Sequence, residues 1–116
     1  MSSTNNAIQL FVEPQRVIAA GAISGIYAGI GTVYTHPVRL YMLQNFTDAA
    51  LQFSWDGIDD HFPLPAGGSM IIDVTSNKSA TGGMFAISEN DRTYVKRIGI
   101  PTTGSVYLSI FFGNNG

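Results

Sequence analysis

The chain has 116 residues, the length of one domain with a single hydrophobic core, and it has no cysteine, which excludes disulfides and thiolate metal sites. Charged residues make up only 12% of the sequence against 45% hydrophobic residues. The net charge of −2, with six lysines and arginines, argues against nucleic-acid binding, which needs clustered cations. So few charges on a small domain predict that part of its surface is buried against other protein, including further copies of the chain.

Neither a membrane span nor a signal peptide is predicted. No run approaches the roughly 18 consecutive apolar residues that a spanning helix needs. The N-terminus lacks a basic region followed by a long apolar run.

Residues 1–14 are predicted to form an N-terminal arm or edge strand. A short strand over Ala7–Val12 ends at Pro14, which cannot continue a ladder. Three apolar residues alternate with Gln9, Phe11 and Glu13 and are our candidate partner-binding residues: Ile8, Leu10 and Val12. Such a strand can join the edge of a neighbouring subunit through main-chain hydrogen bonds. The alternative is that it pairs with its own sheet, because sequential strands usually neighbour one another.

Two apolar, glycine-containing stretches follow, Arg16–Ile23 and Ile26–Val33, and both are predicted to be buried strands. The next stretch, Val38–Leu64, is predicted to be a meander of three short strands. In its first strand, Val38–Asn45, we expect Val38, Leu40 and Met42 to face inward and Arg39 and Gln44 outward. Asn45 and Asp48 are typical of the turn that follows, because their side chains hydrogen-bond nearby backbone.

The second strand of this meander alternates Leu51, Phe53 and Trp55 with Gln52 and Ser54. A period of two sends the three large side chains to one face, so we expect all three to be buried. Asp56-Gly57 supplies the positive φ of a reversal into the third strand, His61–Leu64.

The remaining strands are predicted over Ser69–Val74, Met84–Ile87 and Arg92–Ile98, with a closing strand defined by Val106, Leu108, Ile110 and Phe112 and a polar loop over Thr75–Gly83. Short strands at roughly 8–12-residue spacing with glycine, proline and asparagine turns indicate a sandwich or barrel. We therefore predict an all-β, antiparallel β-sandwich, jelly-roll or Ig-like, of about eight short strands. The sandwich occupies residues 15–113, and residues 114–116 form a flexible tail.

The densest group of polar side chains is Asp56, Asp59, Asp60 and His61. Carboxylate oxygens on a flexible loop suit Ca²⁺, but the spacing lacks a calcium-loop pattern, and aspartate is common in hairpin turns for backbone reasons. The turn interpretation is favoured and a bound cation is the alternative. A Ser/His/Asp triad drawn from His61 and Asp59 lacks a nucleophile elbow. We predict no catalytic residue, no cofactor and no metal ligand, and hence no enzyme.

Aromatic residues suggest one further class of function, a carbohydrate-binding module. Exposed Trp55, Tyr34 or Tyr41 could stack on sugar rings, but the strand pattern places Trp55 inside, where aromatic side chains contribute to a core.

Six segments occur together in this order: ISGIYAGIGT (Ile23–Thr32), HPVRLYMLQNFTDA (His36–Ala49), FSWDGIDDHFPLPA (Phe53–Ala66), TSNKS (Thr75–Ser79), YVKRIG (Tyr94–Gly99) and PTTGSVYLSIFFG (Pro101–Gly113). Their combination resembles small β-rich structural proteins of the virions of tailed bacteriophages. The resemblance covers about Ile23–Gly113 and leaves out the N-terminal segment.

This resemblance implies a role in the particle and supplies no catalytic residues. The expected function is a capsid decoration or cement subunit that binds the assembled head, located in the virion. The alternative is a neck, collar or tail-adaptor ring subunit. The expected partners are the major capsid protein or neck and tail proteins and further copies of the chain, with no nucleic acid and no membrane.

Overall fold

The computed structural model describes residues 9–74, 87 and 90–114. This part of the chain has nine strands: β1 (Gln9–Val12), β2 (Arg16–Ala19), β3 (Ala28–Gly29), β4 (Val38–Asn45), β5 (Leu51–Ser54), β6 (Phe62–Leu64), β7 (Ser69–Asp73), β8 (Tyr94–Arg97) and β9 (Ser105–Asn114). One 3₁₀ turn, Ala20–Ala22, follows β2, and the described residues contain no α-helix. None of them forms a helix of the length and hydropathy needed to cross a bilayer.

The strands form two antiparallel sheets that pack as a sandwich, so the predicted fold class is confirmed. One sheet has the order β1-β9-β4-β7, and β2 pairs with β9 on the same side as β1. The other has the order β3-β8-β5-β6. Large side chains from both sheets meet in a core with almost no exposed surface: Tyr34, Val38, Tyr41, Leu43, Leu51, Phe53, Val95, Val106, Leu108 and Ile110.

The predicted three-strand meander is wrong in its pairing. β4 has the predicted bounds, Val38–Asn45, but it pairs with β7 and β9 in the first sheet. β5 and β6 pair with each other in the second sheet, as the hairpin over Asp56-Gly57 predicted. Gly57 has φ +75°, the positive value that the reversal was expected to need.

The inward face of β4 also differs from the prediction. Tyr41 and Leu43 are fully buried, whereas Leu40 and Met42 are only half-buried. The pairing register with β9 shifts between Val38 and Leu40, which marks a bulge. Because side chains alternate with a period of two, one irregular residue moves every later side chain to the opposite face.

Two other predicted segments are shorter in the structure. The stretch Arg16–Ile23 forms a strand only as far as Ala19, and Val17 is 46% exposed, so it is not buried on both faces. Ile26–Val33 contributes only the two residues of β3, and Ile26 is 79% exposed. Thr75–Gly83 and most of Met84–Ile87 lie outside the described residues. Ile87 itself exchanges two backbone hydrogen bonds with Val38, of 2.7 and 2.8 Å.

Trp55 is less buried than predicted. Leu51 and Phe53 have no exposed surface, but Trp55 lies one residue beyond the end of β5 and is partly exposed. Its ring packs at the border of the core against Phe62 and, edge to face, against Tyr41, with centroids 5.1 and 6.2 Å away.

The crossing from the first sheet to the second depends on the side chain of Asn45, which is fully buried. Its Nδ2 donates to the carbonyls of Ala49, Leu64 and Pro65 at 3.0, 3.3 and 3.0 Å. Its Oδ1 accepts hydrogen bonds from Thr47 N at 3.0 Å and Thr47 Oγ1 at 2.6 Å. One amide therefore joins the end of β4, the turn after it and the segment between β6 and β7.

A second constraint at the same turn is Gly104, whose φ is +84°. A Cβ there would lie 2.0 Å from the carbonyl oxygen of Phe46. The turn before β9 can therefore pack against the turn after β4 only with glycine at this position.

We expect Asn45→Ala to lower the free energy of unfolding by more than about 3 kcal/mol, since each buried polar group left without a partner costs about 1–3 kcal/mol. Urea denaturation followed by far-UV circular dichroism measures this difference. Gln44→Ala, at the adjacent and half-exposed position, is the control and should cost less than about 1 kcal/mol. Equal losses for the two variants would contradict the role assigned to Asn45.

Candidate functional site

The structure places two of the three predicted partner-binding residues at an edge of the first sheet. Leu10 and Val12 lie in β1, whose neighbour in the described part of the chain is β9, with Phe11 opposite Phe112. Ile8 lies outside the described residues. For residues 9–12, this pairing is the alternative in which the segment joins its own sheet as an edge strand. Binding of a partner through it stays a prediction.

The apolar side chains of β1 are exposed on both faces of the strand. Leu10 is 48% exposed, Phe11 42% and Val12 57%. On one face Phe11 stacks on Phe112 with ring centroids 5.8 Å apart, and His36 lies parallel to Phe112 at 3.6 Å on its other side. β1 and the end of β9, Phe111–Asn114, thus form an antiparallel pair, called here the ribbon, with a row of rings along one face.

The base of this ribbon is fixed by a buried ion pair that sequence analysis did not predict. Glu13 and Arg16 lie on either side of Pro14, in the short connection between β1 and β2. They are only 4% and 7% exposed. Arg16 Nη2 donates to Glu13 Oε1 at 2.8 Å. The guanidinium also donates to the carbonyls of Thr32 and Val33, both at 2.9 Å. The pair therefore attaches the loop after β3 to the junction of β1 and β2.

The second oxygen of the Glu13 carboxylate binds the far end of the same loop. Oε2 accepts hydrogen bonds from Thr35 N and Oγ1 at 3.2 and 3.0 Å and from His36 Nδ1 at 2.7 Å. Burial by itself would raise the pKa of Glu13, but the hydrogen bonds from Arg16, His36 and Thr35 outweigh it and lower the pKa to about 2. Glu13 is thus a permanent anion at neutral pH.

This pKa predicts a specific acid sensitivity. An ordinary glutamate takes up its proton near pH 4.5, so the unfolded chain is protonated first as the pH falls. The contribution of Glu13 is complete well above pH 4.5 and is lost as the pH falls through 4.5 to about 2, with a size of about 3 kcal/mol. Glu13→Gln should flatten the fall in unfolding free energy across that window in chemical denaturation at stepped pH. Gln15→Ala, at the exposed neighbouring position, should keep the wild-type slope.

The signal for the ion pair was present in the sequence. An acid and a base flank a proline at a three-residue spacing, within an otherwise apolar stretch of a chain with few charges. Buried charges are almost always paired, so opposite charges in such a stretch favour a buried pair. In the structure the pair also restricts position 31, because Gly31 has φ +66° and a Cβ there would lie 2.6 Å from Arg16 Cγ.

The acidic group after β5 has the hydrogen bonding of a turn. Asp56 Oδ1 accepts hydrogen bonds from the backbone N–H groups of Ile58 and Asp59 at 2.8 and 2.9 Å and from Ser54 Oγ at 2.8 Å. These bonds lower the pKa of Asp56 to about 2. Asp60 accepts hydrogen bonds from Tyr27 Oη at 2.5 Å and from Lys96 Nζ at 3.0 Å, and both lower its pKa.

One group of side chains among the described residues could hold a metal ion: Asp56, Asp59 and His61. Their potential ligand atoms lie within 4.8 Å of one another. All three residues are exposed, and one Asp56 oxygen is already occupied by three donors. The arrangement is fully explained by the turn, which agrees with the favoured interpretation of the sequence.

Ser54 and His61 are close, but their surroundings do not suit a nucleophile. Ser54 Oγ lies 3.5 Å from His61 Nδ1, and that nitrogen already accepts the Trp55 N–H at 3.0 Å. Ser54 has no exposed surface, and its Oγ accepts the N–H groups of Asp56 and Gly57. The hydroxyl therefore supports the turn and is closed to a substrate.

If the acidic group serves the turn, Asp56→Asn should melt close to the wild type because its side-chain oxygen can still accept the two backbone N–H groups. Asp56→Ala should melt at a clearly lower temperature. Added Ca²⁺ should leave the melting temperature of the wild-type protein unchanged in differential scanning fluorimetry. A calcium-dependent rise that Asp56→Asn abolishes would instead establish a cation site.

The aromatic residues considered for sugar stacking are divided by the structure. Tyr34 and Tyr41 are fully buried, and their hydroxyls both hydrogen-bond Thr93 Oγ1 between the sheets. Only Trp55 keeps exposed surface, beside a cavity of about 200 Å³ that Ile72, Ile87 and Asp91 also line.

Comparison of the chain with protein-family models, with curated proteins and with solved structures found no match.

Proposed function

We propose that this chain is a structural subunit of a tailed-bacteriophage virion that binds the assembled head as a decoration or cement protein. The observation that carries the proposal is the edge strand β1, with three large apolar side chains between 42% and 57% exposed. Exposed apolar patches with an unpaired strand edge are typical of surfaces that bind other protein.

The rest of the surface supports an assembly role. Isoleucines stand out from several loops and strands with 57–79% of their surface exposed: Ile26, Ile58, Ile71, Ile98 and Ile100. Only 14 of the 116 residues carry a full charge at neutral pH, six basic and eight acidic. Such a surface is costly for a protein alone in water and suits one that is surrounded by neighbouring subunits.

The polar groups of the described residues favour a structural role over catalysis. The Asn45 amide, the Asp56 carboxylate and the Glu13–Arg16 pair each hold backbone segments in place. Such fixed arrangements give a rigid platform. Rigidity favours binding to a repeating lattice, because little conformational entropy is lost on association.

Counting copies in purified particles by quantitative mass spectrometry tests the proposal. A decoration protein should be present in hundreds of copies, in a fixed ratio to the major capsid protein. About a dozen copies, located at the portal vertex by electron microscopy, would instead identify the chain as a neck, collar or tail subunit. Absence from particles, or binding to glycans that Trp55→Ala abolishes without loss of folding, would overturn a structural role in the head.

A further inference from the structure

The outer edge of β1 carries a definite set of backbone groups that no other described residue pairs with. Glu13 N donates to Ile110 O at 3.0 Å, and Phe11 lies opposite Phe112 in the same register. In an antiparallel ladder, hydrogen-bonded and non-hydrogen-bonded pairs alternate. Glu13 and Phe11 therefore direct their N–H and C=O groups toward β9, and Leu10 and Val12 direct theirs away from it.

The other side of β9 gives the same assignment. Phe46 N donates to Ser105 O at 3.0 Å, so the odd-numbered residues of β9 direct their backbone groups toward β4. The even-numbered residues, Ile110 and Phe112 among them, must then face β1. Two independent hydrogen bonds thus place the free donors and acceptors of the edge at Leu10 and Val12.

We propose that two copies of the chain pair through β1 as antiparallel strands related by a twofold axis at Phe11. In this register Leu10 of each copy exchanges both backbone hydrogen bonds with Val12 of the other, which satisfies all four outward groups of each strand. The first sheet of one copy and the first sheet of the other then form one continuous sheet. The inference rests on the assembly role proposed above and names one of its partners, a second copy of the chain.

The row of aromatic rings favours this axis. His36, Phe112 and Phe11 lie side by side on one face of the ribbon, and the outer side of Phe11 has no ring beside it among the described residues. A twofold axis at Phe11 makes the two Phe11 residues a non-hydrogen-bonded pair, with Cα atoms about 4.5 Å apart. The rows of the two copies then join into six consecutive rings, and aromatic cross-strand pairs are among the most favourable in sheets.

The charges near the edge favour a second copy over a charged partner. Residues 9–12 carry no charge, and the nearest acid, Glu13, is buried against Arg16. Two identical edges can therefore approach without the repulsion that like charges cause across a strand pair.

The size of the contact determines its strength. Leu10, Phe11 and Val12 are each about half exposed, so pairing buries on the order of 500 Å² in total, well below the roughly 1,200 Å² of a standard interface. The dimer should therefore be reversible, with a dissociation constant in the micromolar range or weaker, and would become stable where many subunits are assembled together.

Disulfide cross-linking tests the register directly, because the natural chain has no cysteine. Phe11→Cys places two thiols on the axis, within the Cα separation of about 4.4–6.8 Å that a disulfide accepts. The purified variant should form a covalent dimer under mild oxidation at high concentration. Val12→Cys is the control, since Val12 is more exposed but lies opposite Leu10 of the second copy. Equal cross-linking of both variants, or of neither, would overturn the register.

Light scattering after size-exclusion chromatography tests the pairing itself. The mass of the wild type should rise from 12.4 kDa toward twice that value with increasing concentration. Leu10→Pro removes an outward N–H and leaves the bonds to β9 intact, so it should weaken dimerisation at least tenfold at an unchanged melting temperature. Ile58→Lys, which replaces a 79% exposed isoleucine in the turn after β5, should dimerise like the wild type.

A wild type that stays monomeric at millimolar concentration, or a dimer that Leu10→Pro leaves intact, would overturn the proposal. The result is independent of the particle test. If the protein dimerises but is absent from virions, only the proposed function is wrong. If it is present in virions but never dimerises, only the proposed pairing is wrong.

Discussion

The amide of Asn45 is the interaction on which the two-sheet arrangement depends. Asn45 is the last residue of β4, where the chain leaves the first sheet. Its Nδ2 donates to the carbonyl of Ala49, on the way into the second sheet, and to those of Leu64 and Pro65, where the chain returns to the first. A carboxylate would repel these carbonyls and an aliphatic side chain would leave them unpaired, so only an amide satisfies the site. The position of the second sheet over the first, and with it the closed core, follows from this one side chain.

The Glu13–Arg16 pair has the same role beside the middle of β9, where Glu13 N donates to Ile110 O and Arg16 lies opposite Leu108. A buried ion pair is weak evidence of net stability, since desolvation offsets most of its attraction. Here its value is geometric, because Arg16 holds the carbonyls of Thr32 and Val33 while Glu13 holds the N–H of Thr35. The loop is thereby drawn against the ribbon, and His36 is brought flat onto Phe112. Without the pair, the loop after β3 would lose its attachment to β1 and β2, and His36 would lose its position against Phe112.

The sequence predicted the fold class and several turns because these depend on local chemistry. The bounds of β4, the reversal at Gly57 and the hydrogen bond from Thr47 N to the Asn45 side chain all follow from residue type and spacing. Asp48 instead accepts the backbone N–H of Thr102, 54 residues away, which local chemistry could not predict. Which strands pair is decided by contacts between residues distant in the chain. The local sequence therefore did not show that β4 and β5 belong to different sheets. The bulge after Val38 reversed the face of β4 for the same reason, since periodicity cannot reveal one unpaired residue.

The candidate site was located only in part by the same reasoning. The alternation of Leu10 and Val12 indicated an edge strand, but it could not show which backbone groups face outward, because that depends on the hydrogen bond from Glu13 to Ile110. The paired residues of the ribbon lie about a hundred positions apart, as do Phe11 and Phe112. Long-range pairing of this kind determines the ribbon and the row of rings, and neither is visible in local sequence.

The outermost strands of the described sheets are β1, β2, β3, β6 and β7, and three of them have features that resist pairing with another chain. β3 has only two residues, β6 has Pro63 at its centre and β7 ends in the charged Asp73. Short length, proline and charge are the devices by which edge strands avoid association. β1 has none of them between Gln9 and Val12, although the chain places Pro14 and Glu13 immediately after it. Protection in three of these strands and its absence in β1 support the proposal that this sandwich meets other protein at β1.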